Sequence, residues 1–235
     1  MIQLSHQGNI HILAINAPEG NAVDEKLVAA MHEALDSVEA VVGDGPGALL
    51  ITGSGKAFSV GLNVPVVMQY APEKIEVFDK ALMKLYGRLM NFKMPTVAAI
   101  NGHAFAAGAF VALACDYRVM RNDRGWFCIS EVDVGVPIGA AVMAMAKDKL
   151  SASVCRDAVL TGKRYTGAEA LAANIVDEVC SEEELIPTAL EMMSDLAEKK
   201  RGIFKTLKQP YMARRLQVLV LTILKSVRLV LFDPQ

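Results

Sequence analysis

The chain has 235 residues, 53% of them hydrophobic, enough for a sizeable core in one domain or one domain plus an appendage. Its 24 basic and 26 acidic residues leave a net charge of −2. That balance argues against a nucleic-acid binder, which needs a clustered basic face.

The opening MIQLSHQGNIHILAI alternates in polarity, so residues 2–15 predict two strands joined by a polar turn at Gln7-Gly8-Asn9. It lacks the basic start and long apolar run of a signal peptide. Pro18 to Asn21 breaks the chain. Asp24 then caps a predicted helix carrying Leu27, Val28, Met31, Leu35, Val38 and Val42 at helical spacing. Gly43 to Gly47 ends it, and Ala48 to Thr52 is apolar enough for a buried strand. A loop through Gly53-Ser54-Gly55-Lys56 leads into FSVGLN, residues 58–63. Residues 72–92 predict a helix, stopped by Met94-Pro95, and Thr96 to Ile100 a second buried strand.

A turn rich in Gly and Ala with a helix is expected from Gly102 to about Ala114. Tyr117 to Met120 and Trp126 to Ser130 read as strands around a turn at 121–125. Thr166…Glu169 and Ser181…Glu184 fit the capping-box pattern. Strand and helix units recur about every 45 residues, and the fold class expected is α/β with stacked ββα units. Residues 1–186 are expected to form this core with the site. Residues 187–235 are expected to form a C-terminal helical section that packs on the core or a neighbouring subunit. The stretch LQVLVLTILKSVRLVLF near the end is very apolar. Lys225 and Arg228 interrupt it, and the charge-free run from Leu216 to Leu224 is far short of the roughly 20 residues of a membrane-spanning helix.

The cysteines, Cys115, Cys128, Cys155 and Cys180, form no CxxC pair, and the histidines are scattered, so no metal site is expected. The expected state is that of reduced thiols in an intracellular protein.

Three segments carry the chemistry: FSVGLN, NGHAFAAGAFVALACDY (101–117) and ISEVDVGVP (129–137). The first two each offer a backbone N–H beside small residues, and the third offers the carboxylate of Glu131 among Ile129, Val132, Val134 and Val136. Two N–H donors and one desolvated carboxylate are the minimum parts for proton transfer beside a thioester carbonyl. Glycines and alanines also serve tight turns and close packing, so each turn alone says little. Asp133, two residues after Glu131, is a rival acid if this stretch is extended.

Together with LTGKRYTGAEALAANIVDEV, these segments resemble the crotonase superfamily, the enoyl-CoA hydratase/isomerase fold, over residues 2 to about 190. The resemblance implies a crotonase-type spiral of ββα units, acyl-CoA thioester substrates, no cofactor, and a homotrimer or dimer of trimers. It places the oxyanion-hole N–H groups at Leu62 and Ala107, where many relatives carry Gly in the second position, and the base at Glu131. It places substrate contacts at Ala57, Phe58, Leu62, Asn63, Val64, Pro65, Ala107 and Phe110. Lys56 is left between a phosphate contact and a solvated lysine. Residues Val66, Val67, Met68 and Tyr70 are left between acyl pocket and core.

Hydratases of this family use two glutamates to activate water. Phe110 stands at the first position and Glu131 at the second, the pattern of Δ3,Δ2-enoyl-CoA isomerases. One base can move a proton from C2 to C4, and an apolar Phe110 helps to keep water out. Two alternatives are another thioester reaction on this fold, hydration included, and a non-catalytic acyl-CoA-binding paralogue. The resemblance implies a role in β-oxidation of unsaturated fatty acids in the peroxisome or mitochondrion. The ending Asp-Pro-Gln is not a peroxisomal tripeptide, and no targeting signal chooses between the two organelles.

Overall fold

A computed structural model describes residues 1–208. Strands β1 (Ile2–Gln7) and β2 (Ile10–Ile15) form the expected antiparallel hairpin. The one-turn α1 (Pro18–Asn21) and the long α2 (Glu25–Val42) follow. The Asp24 carboxylate caps α2 by accepting from Leu27 N at 3.0 Å, and Leu27, Val28, Met31, Leu35 and Val38 are buried at the anticipated spacing.

From there the chain winds as a spiral. Strands β3 (Ala48–Gly53), β5 (Thr96–Ile100), β7 (Tyr117–Arg121) and β9 (Glu178–Cys180) add in parallel to β2, giving the order β1-β2-β3-β5-β7-β9. Strands β4 (Ala57–Ser59), β6 (His103–Phe105) and β8 (Phe127–Cys128) form a second, parallel sheet in the order β4-β6-β8. Each turn of the spiral thus places one strand in each sheet before the chain becomes helical. Helices α3 (Val64–Val67) and α4 (Pro72–Met90) follow β4, α5 (Ala107–Ala114) follows β6, and α6 (Glu131–Val134) follows β8. The bend before β6 requires glycine: a Cβ on Gly102 would lie 2.2 Å from the Lys56 carbonyl oxygen. Helices α7 (Ala140–Lys149), α8 (Ala152–Thr161), α9 (Gly167–Ala172) and α10 (Leu185–Ala197) follow, and residues 201–208 are helical as well.

Strands β3 and β5 are buried along their apolar runs, as parallel strands covered on both faces are. The main core joins one face of the large sheet to α2, α4 and α5. A smaller core lies on the other face, where Leu185, Ala189, Met193 and Ala197 of α10 meet Ile10, Leu50, Val97 and Val119. Burying a side chain such as Leu185 or Met193 stabilises the fold by about 1.5–3 kcal/mol. The start of the proposed C-terminal section therefore packs on the sheet, while residues 209–235, with the apolar stretch singled out above, lie outside the described residues.

Two polar side chains tie the spiral together. Asn21 is buried with a left-handed φ of 62°. Its amide donates to the carbonyls of Ser54, Ala57 and Phe58 at 3.2, 2.9 and 3.2 Å. Asp116 joins α5 to β7: its Oδ2 accepts from Thr96 N and Oγ1 at 3.0 Å each and from Lys208 Nζ at 2.6 Å.

Four details differ from the sequence reading. The stretch after Gly102 first makes β6, because residues 103–105 continue the small sheet before α5 begins. The strand expected from Trp126 to Ser130 shortens to Phe127–Cys128. Residues 129–133 are not one extended strand, so Asp133 shares no strand face with Glu131; it lies on α6 against Gly162, where an added Cβ would sit 2.7 Å from Asp133 Oδ2. Thr166 and Glu169 make a full capping box at the start of α9. Ser181 and Glu184 also bond each other, but they do so before α10 starts at Leu185.

Candidate active site

The small sheet decides where the chemistry lies. Leu62 follows the end of β4, Ala107 follows β6, and Glu131 follows β8, each within three residues of its strand. Parallel pairing of the three strands gathers these ends on one side.

The two turns touch. Gly61 has φ 93°, and a Cβ there would lie 2.9 Å from the Ala106 methyl carbon and 3.6 Å from Ala107 N. Val23 holds the first turn in place: Val23 N donates to Gly61 O at 2.7 Å, and Asn63 N donates to Val23 O at 2.8 Å. The second turn is held by Ala106, whose N–H donates to Cys128 O at 2.9 Å and whose carbonyl accepts from Phe110 N at 3.1 Å. Ala106 adopts φ 48° and ψ −120°, a conformation an alanine rarely takes. Among the described residues the N–H groups of Leu62 and Ala107 have no hydrogen-bond acceptor, whereas those of Gly61, Asn63 and Ala106 do. Ala107 also opens α5, where the helix dipole favours negative charge.

Beside these turns lies a cavity of about 590 Å³. Leu62, Ala107, Phe110 and Glu131 all line it. One face of α4 forms a wall, from Pro72 and Ile75 through Asp79, Leu82 and Met83 to Tyr86, and the segment Val136 to Val142 faces it. The remaining proposed contacts are placed elsewhere. Ala57 and Phe58 are buried in β4, and neither they nor Asn63, Val64 and Pro65 line the cavity. Any contact from Phe58 would come from its backbone. Val66, Val67, Met68 and Tyr70 do not line it either; Val67 and Tyr70 pack partly on the core, and Met68 is exposed. His103 lies on β6 between Phe105 and Trp126, with ring centroids 5.0 and 5.1 Å away.

Glu131 Oε2 is buried without a hydrogen-bond partner. Desolvation holds this carboxyl above the ordinary carboxylate range, opposed by a hydrogen bond from its own backbone. Tyr86 is fully enclosed, and its hydroxyl donates to Ala107 O at 3.2 Å. Desolvation raises this phenol's pKa, and the charges of Glu131 and Asp79 raise it further, so it stays protonated at working pH. Its ring lies 6.3 Å from that of Phe110. Asp79, facing the cavity, is also raised by desolvation.

The arrangement suits enolate chemistry: two free N–H donors for a developing oxyanion, the desolvated and unpartnered carboxylate of Glu131, and mostly apolar walls. Tyr86, Asp79 and residues 138–142 were not singled out from the sequence. The signal available was the recurrence of residues 72, 75, 79, 82, 83 and 86 on one helical face, interrupted by a single acid.

Comparison with known proteins agrees with this geometry. The model of the enoyl-CoA hydratase/isomerase family matches residues 5–228. Enoyl-CoA delta isomerase 3 of Arabidopsis thaliana is 31% identical over 206 residues, covering 85% of this chain and 86% of that protein. The peroxisomal enoyl-CoA delta isomerase 2 of the same plant is 30% identical over 208 residues, covering 85% and 86%. Among solved structures, a probable enoyl-CoA hydratase of Mycobacterium tuberculosis superposes with a TM-score of 0.87 at 26% identity, covering 94% of this chain and 92% of that one. The spiral, the paired turns and the matched sequence lead to one conclusion: this chain belongs to the enoyl-CoA hydratase/isomerase family.

Proposed function

We propose that the protein is a Δ3,Δ2-enoyl-CoA isomerase. The observation that carries this reading is the pairing of Glu131, with a buried unpartnered oxygen, and Phe110, 2% exposed, on the walls of one cavity. The thioester oxygen sits between the N–H groups of Leu62 and Ala107. Glu131 takes a proton from C2, and the electron pair moves into a dienolate whose charge rests on that oxygen. The same carboxyl returns the proton to C4, leaving the double bond between C2 and C3. Phe110 supplies no group to activate water, and the apolar walls disfavour its addition. No cofactor takes part. The segments 57–58 and 62–65 carry the CoA moiety through backbone contacts and the surface of α3. A homotrimer, or a dimer of trimers, acting in β-oxidation in the peroxisome or mitochondrion completes the proposal; the Arabidopsis relative named as peroxisomal supports the first location.

Hydration is the second reading, favoured by one observation: besides Glu131 and the Lys80-paired Glu76, the cavity is lined by the carboxylate of Asp79. The deciding assay offers trans-3-hexenoyl-CoA and follows the conjugated 2-enoyl thioester by ultraviolet absorbance, with crotonyl-CoA hydration alongside. Conjugation without hydration supports the isomerase, and hydration alone overturns it.

A further inference from the structure

Asp79 has no part in the one-base mechanism, yet it belongs to the same cavity. It shares the lining face of α4 with Ile75, Leu82, Met83 and Tyr86. The adjacent Lys80 also lines the cavity, but its ammonium is paired with Glu76 one turn back. Among the described residues Asp79 makes no hydrogen bond and no ion pair, and desolvation alone displaces its titration, with no cation acting on it. Asp79 and Tyr86 lie seven residues apart, two turns along the same face of α4. The charge of Asp79 acts on the Tyr86 phenol, as that of Glu131 does. The Asp79 carboxylate therefore acts on the interior of the cavity as well as on solvent.

Asp79 is exposed to solvent, and an acyl chain filling this cavity displaces the water on the cavity side of its carboxylate. A plain hydrocarbon gives nothing in return, and a leucine at this position would serve it better. A chain bearing a hydrogen-bond donor restores the lost contact. We propose that Asp79 makes this cavity selective for acyl-CoA thioesters whose acyl chain carries a hydroxyl group beyond the reacting carbons, with its carboxylate as the acceptor. This rests on the acyl-CoA reading of the site and adds to it the class of acyl chain.

The test measures binding and turnover separately. Calorimetry on Glu131→Gln, expected to hold the substrate and convert it about 10²–10⁴-fold more slowly, compares trans-3-octenoyl-CoA and trans-3-decenoyl-CoA with counterparts hydroxylated at successive carbons beyond C4. One hydroxyl position is expected to tighten binding by about tenfold to a hundredfold, the range for a hydrogen bond to a charged group. Adding Asp79→Leu should abolish that preference and tighten the plain chains, and Asp79→Asn should retain part of it. Equal binding of plain and hydroxylated chains at every position overturns the proposal, as does a preference that survives Asp79→Leu. Turnover of plain trans-3-decenoyl-CoA by the wild type is read independently. Its absence would count against the isomerase reading and leave the binding result standing.

Discussion

The Tyr86 hydroxyl donates to the Ala107 carbonyl across 3.2 Å, so the wall of the cavity is fastened to the residue proposed as the second oxyanion donor. Tyr86→Phe removes that tie and little else. A loss of about 1 kcal/mol in stability is expected, typical of one internal hydrogen bond. The rate should fall several-fold with KM nearly unchanged, because a loosened donor weakens transition-state binding more than ground-state binding. A rise in KM at constant kcat would show instead that Tyr86 only shapes the cavity.

Glu131→Gln keeps the shape of the side chain and removes its basicity. Turnover should drop by about 10²–10⁴ while acyl-CoA binding persists. Unchanged turnover would remove Glu131 from the mechanism.

The same carboxyl sets a pH dependence. Its folded-state pKa is raised above the ordinary 4.5 by desolvation. The base works only when ionised, so kcat/KM should fall as pH drops through that raised value, with an acid limb above pH 4.5. For stability the sign is opposite to that of a paired carboxylate. Between 4.5 and the raised value the folded chain binds more protons than the unfolded one, so stability falls as pH rises through this window. Wild type should therefore gain on Glu131→Gln as the solution is acidified toward 4.5. Denaturant titrations of both proteins across this range read the gap directly.

Ala106 sits at φ 48° and ψ −120°, where glycine is unstrained. Such strain costs about 1–3 kcal/mol, and the extra freedom of an unfolded glycine takes back part of the gain. Ala106→Gly should raise stability by about 1 kcal/mol, a melting shift of about 2–4 °C for a chain of this size. A lower melting temperature would mean that the methyl contributes more by packing against Gly61 than it costs in strain.

Asn21 offers a test far from the cavity. Its amide holds three carbonyls on the approach to Leu62, from a backbone with φ 62°. Asn21→Ala should cost about 2–4 kcal/mol through lost bonds and a strained φ. Asn21→Gly restores the φ but not the amide, so the difference between the two variants isolates the backbone term. Both should reduce turnover, since both loosen the turn that presents the Leu62 N–H.

Much of the site was legible because small residues betray backbone demands. FSVGLN carries Gly61 where φ is 93°, and the Ala-Ala-Gly run marks the close approach of α5 to β4. The buried strands and the Asp24 cap followed from pattern and local chemistry. Strand β6 was hidden because three residues beside an alanine-rich helix carry no period of their own. Asp133 was misplaced because a two-residue offset means one face on a strand and nearly opposite faces on a helix. Tyr86 and Asp79 were missed because an apolar helical stripe reads as core whether it meets protein or a void. Only the cavity left between α4 and the 136–142 segment distinguishes the two.

Because Leu62, Ala107 and Glu131 are each delivered by a different strand of the three-stranded sheet, their spacing is a lattice constant of that sheet. The walls of the cavity come from α4 and the 136–142 segment, which hang from its edges. The strand ends and these walls are joined through the Tyr86–Ala107 hydrogen bond, and residues 75, 79, 82 and 83 of α4 make no such tie. Replacing residues along α4 can retune which chains are accepted while the proton-transfer geometry stays where the strand register puts it. A library confined to residues 75, 79, 82 and 83 is therefore the economical route to new substrates.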